Sequence, residues 1–319
     1  MPAKTLMPRI NQQKIAQQLQ LSQTTVSRSL ANHPAINAET KAKVLEAAAK
    51  LGYSQRIKRN PPTVAAARSA IWGVLISMPK SMRQHSDTIN ETFQEILRGI
   101  ADKSSLHNAV LDVVYHDPED ARGAHILRRI RSAKWRGVIL IHPVDPALAH
   151  IIANQIAAVS IINNYRHDLI DSVDVDQCEA IYSLVRHLKE HGHRRIGFVS
   201  WRYTVEVPWV LHRFGNFVEA LYSLDLDFDP ETTVNLKSEQ QFDPLACARK
   251  VAEMAGRGVT AFLCAADHQA YGLMSELGKL GIRVPEDVSI TGFDGIIPPP
   301  DAKQLATVRV PYEEIGRSA

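Results

Sequence analysis

Residues 21–30, LSQTTVSRSL, combine several hydroxyl side chains with one amide and one cation, and they contain no acid. Short hydrogen-bond donors and acceptors beside a cation suit the base edges and phosphates of DNA, whereas phosphates repel carboxylates. An ordinary surface helix would carry acids as well as bases. The segment is therefore interpreted as a helix that contacts nucleic acid through its exposed face.

The helical repeat gives this segment two faces. Val26 and Leu30 are four residues apart and point inward, and Arg28 lies nearly opposite them. We expect Arg28 to make a bidentate contact with a guanine, and Gln23 and Thr24, near the helix start, to reach neighbouring bases. Three hydroxyl side chains are predicted to fix the register through phosphate oxygens: Ser22, Thr25 and Ser27.

Three short helices must position this segment. Apolar spacing predicts helices over 11–19 and 23–31, joined by a tight turn, and a third over 41–52. The third helix begins at Asn37 or Thr40, both of which have suitable side chains for an N-cap. Two helices joined by a tight turn, the second with a polar outer face, form the helix-turn-helix of DNA-binding proteins.

Charge is distributed unevenly along the 319 residues. Residues 1–60 hold ten Lys and Arg against two Glu, a net charge of +8, whereas the rest of the chain sums to −5. This segregation favours a nucleic-acid-binding module attached to a mildly acidic body.

The sequence also indicates the cellular compartment in which the protein is expected. No apolar run reaches the length of a membrane span, and the N-terminal residues lack the apolar core of a secretory signal, so we expect a cytoplasmic protein. The cysteines are odd in number and form no CxxC pair, and we expect all three to be buried as small hydrophobic residues: Cys178, Cys247 and Cys264.

The N-terminal region resembles the headpiece of the LacI/GalR family of bacterial transcriptional regulators. The resemblance rests on an Ile-Ala helix, the run Ser-x-x-Thr-Val-Ser-Arg, a following Asn and a third helix that ends in Leu-Gly-Tyr. In that family the two residues after the capping Ser and the Arg contact bases, which implies Gln23, Thr24 and Arg28 here. The resemblance also adds Asn32 to the DNA-binding residues. Gln20 occupies a turn position that often holds Gly.

The next segment, 55–69, departs from the family pattern. Family members carry a hinge helix there whose leucine wedges a base step of the minor groove open. This chain has SQRIKRNPPTVAAARSA and no leucine at that place. Either an unusual hinge helix or a plain flexible linker fits these residues. Arg56 and Lys58 are expected to contact phosphates or a narrow minor groove in either case.

From residue 70 onward, strand-like apolar runs alternate with longer helical stretches. The runs are IWGVLISM, AVLDVVY, GVILI, AAVSII, RIGFVS, TAFLCAA and VSITGF, and the helical stretches include 88–103, 118–132, 179–191, 212–224 and 268–280. Such repetition with fully apolar strands predicts an α/β fold with parallel sheets, which bind ligands beyond the carboxyl ends of the strands. No dinucleotide or phosphate-loop motif follows a strand, so no cofactor is expected.

This region resembles the family as well. RFGNFVEAL and TAFLCAADHQAYGLMSELGKLGIRVPEDVSITGFDG match the family's effector domain, which shares its fold with periplasmic sugar-binding proteins. The resemblance implies an all-α headpiece over 8–54, a hinge or linker over 55–69, and an effector-binding and dimerisation domain over 70–319 with two Rossmann-like lobes around a cleft. We expect the C-terminal element of the second lobe to be incomplete at residue 319.

The resemblance also places an effector in that cleft. Arg213 matches a ligand-binding arginine and Asp267 the acid of an Asn-Asp pair, whereas Ala266 replaces the usual Asn. Asp294 and Asn163 follow strand ends, and carboxylates beside Arg and amides suit the hydroxyl groups of a sugar. An aromatic face for a sugar ring is expected from Trp201, with Trp209 and Tyr165 as alternatives.

Together these features predict a transcriptional regulator, interpreted as a repressor, that binds double-stranded operator DNA as a homodimer and responds to a small effector, expected to be a sugar. A sugar-binding protein or a sugar-active enzyme that uses the same cleft without gene regulation is the alternative. We predict no catalytic residues. No metal site is predicted, because His191 and His193 have no third ligand at suitable spacing.

Overall fold

The computed structural model describes residues 11–53, 70–79, 87–118, 120, 123–163, 165, 168–201, 207–235 and 243–319, with the backbone alone at 87–90. The chain forms two compact units. Unit 1 comprises Met1–Asp174 and Tyr312–Ala319, and unit 2 comprises Val175–Pro311. The predicted hinge or linker lies outside the described residues.

Unit 1 begins with three helices, which confirm the predicted helix-turn-helix. They are α1 (Gln12–Leu19), α2 (Gln23–Leu30) and α3 (Ala38–Lys50). Each helix is capped by a side-chain oxygen that accepts a backbone N–H three residues later, and these caps are Asn11, Ser22 and Asn37. The third helix therefore begins at Asn37 and not at Thr40. Gln20 adopts a φ of 52°, the left-handed conformation for which glycine is favoured at this turn.

The rest of unit 1 contains a parallel sheet of five strands. The strands are β1 (Ile71–Ser77), β2 (Val110–His116), β3 (Gly137–Ile141), β4 (Ala157–Ile161) and β5 (Ile170–Val173). Their order is β2-β1-β3-β4-β5. The helices that alternate with them are α4 (Asp87–Leu106), α5 (Ala124–Ala133) and α6 (Pro146–Ala153). Trp135 and Leu140 belong to the buried core of this unit.

Unit 2 repeats this plan. Its helices are α7 (Gln177–Glu190), α8 (Pro208–Ser223), α9 (Pro244–Gly256) and α10 (Asp267–Lys279). Its strands are β6 (Ile196–Val199), β7 (Thr233–Val234), β8 (Ala261–Cys264), β9 (Ser289–Asp294) and β10 (Ala306–Arg309). All are parallel, in the order β10-β9-β8-β6-β7. Cys247 and Cys264 are buried in its core, but Cys178, at the start of α7, is exposed, so the prediction that all three cysteines are buried was wrong.

Each sheet has one point at which the strand order reverses. The chain leaves β1 toward β2 and then places β3 on the opposite side of β1, and in unit 2 it does the same around β6. In open α/β sheets, ligands bind beyond the carboxyl ends of the strands at such a point. The loops after β6 and β8 are therefore the first place to look for a ligand site in unit 2.

The last helix, α11 (Tyr312–Ser318), belongs to unit 1 and packs closely on α4. A Cβ on Gly99 would collide with the carbonyl oxygen of Glu313, which explains a glycine in the middle of α4. Arg317 Nε donates to Asp102 Oδ2 at 3.0 Å across the same contact. None of the helices in the described ranges is long and apolar enough to cross a membrane.

Candidate DNA-binding helix and effector site

The outer face of α2 carries the residues that the sequence predicted to contact bases. Gln23, Thr24 and Arg28 are exposed, as is Ser27 beside them. The opposite face is buried, because Val26 is 0% exposed and packs inward. The helix is therefore held by its apolar side and presents one cation, one amide and two hydroxyl groups to solvent.

The remaining hydroxyl groups of this region already have partners within the helix. Ser22 Oγ accepts the backbone N–H of Thr25 at 3.0 Å, and the two side-chain oxygens are 2.8 Å apart. Phosphate contact by Ser22 and Thr25 stays a prediction. Arg56 and Lys58 lie outside the described residues.

Asn32, the other predicted DNA-binding residue, faces the body of unit 1. Its backbone is left-handed, with a φ of 53°. Its Nδ2 donates to the carbonyl oxygen of Ala109 at 2.5 Å and lies 3.4 Å from Ser104 Oγ. In this arrangement the Asn32 amide binds protein and is not presented with the exposed face of α2.

In unit 2, Arg213 is the centre of a buried cluster. It projects from α8 and is 2% exposed. Its Nη1 donates to the Ala265 carbonyl oxygen at 2.6 Å and lies 3.3 Å from Asp294 Oδ1. Its Nε donates to Gln177 Oε1 at 3.4 Å. These contacts bring residues from α7, α8 and the ends of β8 and β9 to one place.

Two aromatic rings hold the guanidinium plane of Arg213. Its carbon Cζ lies 3.7 Å from the centre of the Phe293 ring and 4.6 Å from that of Trp209. Stacking of this kind suits the flat guanidinium better than an ammonium group. Trp209 therefore packs on Arg213, although the sequence suggested it as an alternative platform for a sugar ring.

Asp294, at the end of β9, is the carboxylate nearest to Arg213. Its side chain is 13% exposed, and its φ of 131° is a conformation that residues with a side chain rarely adopt. Strained backbone of this kind is concentrated at functional sites. Asp294 is therefore placed, with Arg213, at the carboxyl edge of the sheet.

Asp267 has a different environment. It is 0% exposed, and its Oδ2 accepts the backbone N–H groups of Gly295 and Ile296 at 2.7 and 3.0 Å. Its Oδ1 accepts the Thr307 hydroxyl at 2.6 Å. Burial raises the pKa of this carboxyl, and these donors oppose the rise. Direct effector contact by Asp267 stays a prediction, but the geometry favours a positioning role, since it anchors the loop that follows Asp294.

Trp201 follows β6, at the reversal point of the unit 2 sheet. Its ring packs edge-on against His268 of α10, with 5.1 Å between ring centres. It also covers Gly272, where a side chain would collide with the indole. The half-buried ring is thus fixed against α10 beside the loops after β6 and β8.

The corresponding edge of unit 1 carries Asn163, which follows β4 and is 3% exposed. Among the described residues its Oδ1 has no hydrogen-bond partner, and the same is true of Ser77 Oγ at the end of β1. The Tyr165 hydroxyl is occupied, because it accepts the Val144 N–H at 2.7 Å and donates to the Val144 carbonyl oxygen at 3.2 Å. Burial raises the pKa of Tyr165 to about 12.

Sequence reasoning missed four residues of these two edges. Gln177 and Phe293 hold Arg213 from the start of α7 and the end of β9. Ser77 and Ser200 are buried hydroxyl groups without partners in the described part of the chain. Each serine stands where an apolar run ends, a position that could have identified it, whereas the contacts of Arg213 depend on tertiary packing. Within the described ranges, no three His, Cys, Asp or Glu side chains could hold a metal ion.

Comparison with protein families gives two matches. The model described as bacterial regulatory proteins, lacI family, matches residues 13–55. The model described as a periplasmic binding protein-like domain matches residues 185–319. The first covers the helix-turn-helix, and the second covers Arg213, Asp267 and Asp294.

Relatives and solved structures agree with these matches. The chain is 26% identical over 317 residues to the HTH-type transcriptional repressor CytR of Escherichia coli (strain K12), covering 96% of this chain and 86% of the relative. It is 27% identical over 295 residues to the HTH-type transcriptional regulator AglR of Rhizobium meliloti (strain 1021), covering 91% and 79%. A transcriptional regulator CelR–cellobiose complex has a TM-score of 0.66 at 20% identity, covering 97% of this chain and 90% of that one. The lac repressor dimer bound to operator and the anti-inducer ONPF has a TM-score of 0.60 at 18% identity, with the same coverage.

Proposed function

Since this chain belongs to the lacI family of bacterial regulatory proteins and is a DNA-binding transcriptional regulator, we propose that it is a repressor that binds operator DNA as a homodimer and responds to a sugar. The observation that carries the proposal is the exposed, acid-free face of α2 with Gln23, Thr24, Ser27 and Arg28. The repressor acts in the cytoplasm, where its operator lies, and it catalyses no reaction.

The DNA-binding side of the proposal follows from charge and size. The net charge of +8 over residues 1–60 supplies the attraction to phosphates, and Arg28 supplies a cation that can contact a guanine. One headpiece covers few base pairs, which gives too little affinity and specificity alone. Two headpieces related by a two-fold axis bind two half-sites, and a palindromic operator is the expected result.

The effector side rests on Arg213 and Asp294. A carboxylate accepts hydrogen bonds from paired hydroxyl groups, and a guanidinium donates to hydroxyl or ring oxygens. Arg213 uses Nη1 and Nε for protein contacts, and its Nη2 has no hydrogen bond to the described residues. Trp201 offers an apolar ring beside this edge, as sugar recognition requires. The relationship to a cellobiose-binding regulator supports a sugar as the ligand class.

The test is operator selection from random duplex DNA with the full chain, followed by affinity measurement of the selected duplex between low and moderate salt. A palindromic consensus whose affinity falls steeply with salt supports a dimeric DNA-binding regulator. The selected duplex then serves to screen mono- and disaccharides for release or tighter binding. Sequence-independent binding contradicts operator recognition, and a palindrome with no response to any sugar contradicts the sugar effector alone.

A further inference from the structure

Helix α3 of the headpiece is buried on all sides. Six consecutive residues, Val44–Ala49, are buried, and at 100° per residue they span the whole circumference of the helix. An outer helix of a three-helix headpiece would bury one stripe only. The additional cover comes from α4 and β2 of unit 1, against which α3 packs. The headpiece is therefore docked on the body of unit 1.

Polar contacts fix this docking. Asn32 Nδ2 donates to the Ala109 carbonyl oxygen at 2.5 Å, and Ser105 Oγ lies 2.9 Å from Asn32 Oδ1. Lys41 Nζ donates to Ser105 Oγ at 2.8 Å, although the lysine is only 2% exposed. We call these contacts of Asn32, Lys41, Ser104, Ser105 and Ala109 the headpiece latch.

The buried charge of Lys41 limits how much the latch can stabilise the docked headpiece. Burial lowers the pKa of Lys41, and the carboxylate of Asp102 opposes this shift. A lysine that loses water gains little from one neutral hydroxyl partner, so separation of the headpiece would restore its hydration. The packing of α3 therefore supplies the stability of the docking, and the polar contacts of the latch are open to displacement.

The same helix of unit 1 receives the end of the chain. Asp102 of α4, which attracts Lys41, accepts a hydrogen bond from Arg317 of α11. Helix α11 begins directly after Pro311, the last residue of unit 2. One face of α4 thus carries the headpiece, and a neighbouring position carries the segment through which the chain returns from unit 2.

We propose that the headpiece latch fixes the orientation of α2 on unit 1, so that the half-site spacing recognised by the homodimer follows the position of unit 1 and not the 55–69 segment alone. Docking leaves Gln23, Thr24 and Arg28 exposed. A contact that orients the headpiece for DNA binding must leave these residues accessible, whereas a contact that blocks DNA binding would cover them. The inference about spacing rests on the proposed function, whereas the docking itself does not.

The docking is tested without DNA, on the full chain, by acetylation of lysines followed by mass spectrometry. We expect Lys41 to react at least about tenfold more slowly than the exposed Lys43. Ser105→Lys puts a second ammonium beside Lys41, and we expect it to reduce this protection to less than about threefold. Leu106→Lys adds the same charge at a side chain that is 75% exposed and should leave Lys41 protected.

Ser105→Ala, which removes only the hydroxyl partner, provides a second variant if Ser105→Lys fails to fold. It should raise the Lys41 rate by a smaller factor. Equal rates for Lys41 and Lys43 in the unmodified chain overturn the latch. Protection that neither Ser105 variant changes also overturns it, because Lys41 would then be covered within the headpiece itself.

The orienting role is tested with duplexes in which two selected half-sites are separated by spacings that differ by one base pair. The unmodified chain should prefer one spacing by about tenfold, and Ser105→Lys should reduce this preference below about threefold with unchanged affinity for a single half-site. Retention of the preference, or tighter operator binding by the variant, overturns the orienting role. Absence of any operator binding with Lys41 still protected contradicts the proposed function and leaves the docking intact.

Discussion

The guanidinium carbon of Arg213 lies 3.7 Å from the centre of the Phe293 ring, and Phe293 directly precedes Asp294 at the end of β9. Two consecutive residues of one strand therefore hold the arginine by stacking and by charge. A shift of the β9 end changes both contacts together. We therefore expect a ligand bound at this strand end to alter the position of Arg213.

Arg213→Lys tests the need for a planar cation. The variant keeps the charge but loses the stacking on Phe293 and the fixed directions of the guanidinium donors. We expect effector affinity to fall at least about tenfold while operator affinity stays within about twofold. Titration of the effector against the protein–operator complex measures both quantities.

Arg257→Lys is the control for this change, since Arg257 directly follows α9, is exposed, and forms its ion pair within the described residues with Glu253 of that helix. It should leave both affinities unchanged. An unaltered effector response in Arg213→Lys would remove Arg213 from the site.

Arg28→Ala tests base contact by α2. Loss of a bidentate contact with guanine costs roughly 1–3 kcal/mol and relaxes one position of the consensus. Repetition of the operator selection with the variant shows which position changes, and Arg257→Ala serves as the matched loss of a distant arginine. A consensus identical to that of the unmodified chain would exclude Arg28 from base recognition.

Gly292→Ala tests the anchoring role of Asp267. A Cβ at position 292 would collide with Asp267 Oδ1 and, less closely, with the end of the Leu305 side chain, so the carboxylate must leave Gly295 and Thr307 or β9 must move. We expect a loss of about 3 kcal/mol in the free energy of unfolding. Urea unfolding followed by circular dichroism measures it.

Gly215→Ala is a matched glycine substitution in the same unit that should increase the free energy of unfolding instead of lowering it. Gly215 lies inside α8 with nothing within 4 Å of the position of a Cβ. Alanine there should stabilise the helix by about 1 kcal/mol. Equal effects of the two substitutions would mean that Asp267 adapts without cost and anchors nothing.

His142, which follows β3, makes the stability of unit 1 depend on pH. Burial lowers its pKa to about 4, below the value of about 6.5 in an unfolded chain. The unfolded state then binds more protons, so stability falls as the pH drops from about 6.5 toward 4, by up to about 3 kcal/mol. His142→Asn keeps a residue that tolerates the φ of 66° at this position.

We expect His142→Asn to flatten the loss of melting temperature between pH 7 and pH 4.5. His107→Asn replaces an exposed histidine of the same unit and should not flatten it. If both variants lose stability as steeply as the unmodified chain, the acid sensitivity arises from other groups.

The sequence predicted all of the inner strands and one edge strand, β2, but missed the other three edge strands. All seven apolar runs became strands, whereas β5, β7 and β10 were not foreseen. Each of these lies at the edge of its sheet and contains residues that are half-buried or exposed. An edge strand needs fewer apolar residues, so hydrophobic runs alone do not reveal it.

The functional residues that the sequence placed correctly have local contacts, whereas those that it misplaced have partners far along the chain. The exposed face of α2 followed from helical periodicity, because its partners lie within eight residues. Asn32 was assigned to DNA from a motif, but its amide bonds depend on Ala109, 77 residues away. The burial of Asp267 by donors at positions 295, 296 and 307 likewise depends on tertiary structure.

The division of the chain between the units also sets an order for folding during synthesis. Unit 2 is one continuous stretch, whereas unit 1 also includes α11, which follows unit 2 in the sequence. Ribosomes add about 5–20 residues per second, so the surface of α4 around Gly99 waits roughly 10–40 s for its partner helix. During that interval we expect the backbone at Ile96, against which Gly316 later packs, to be accessible to chaperones and to other nascent chains.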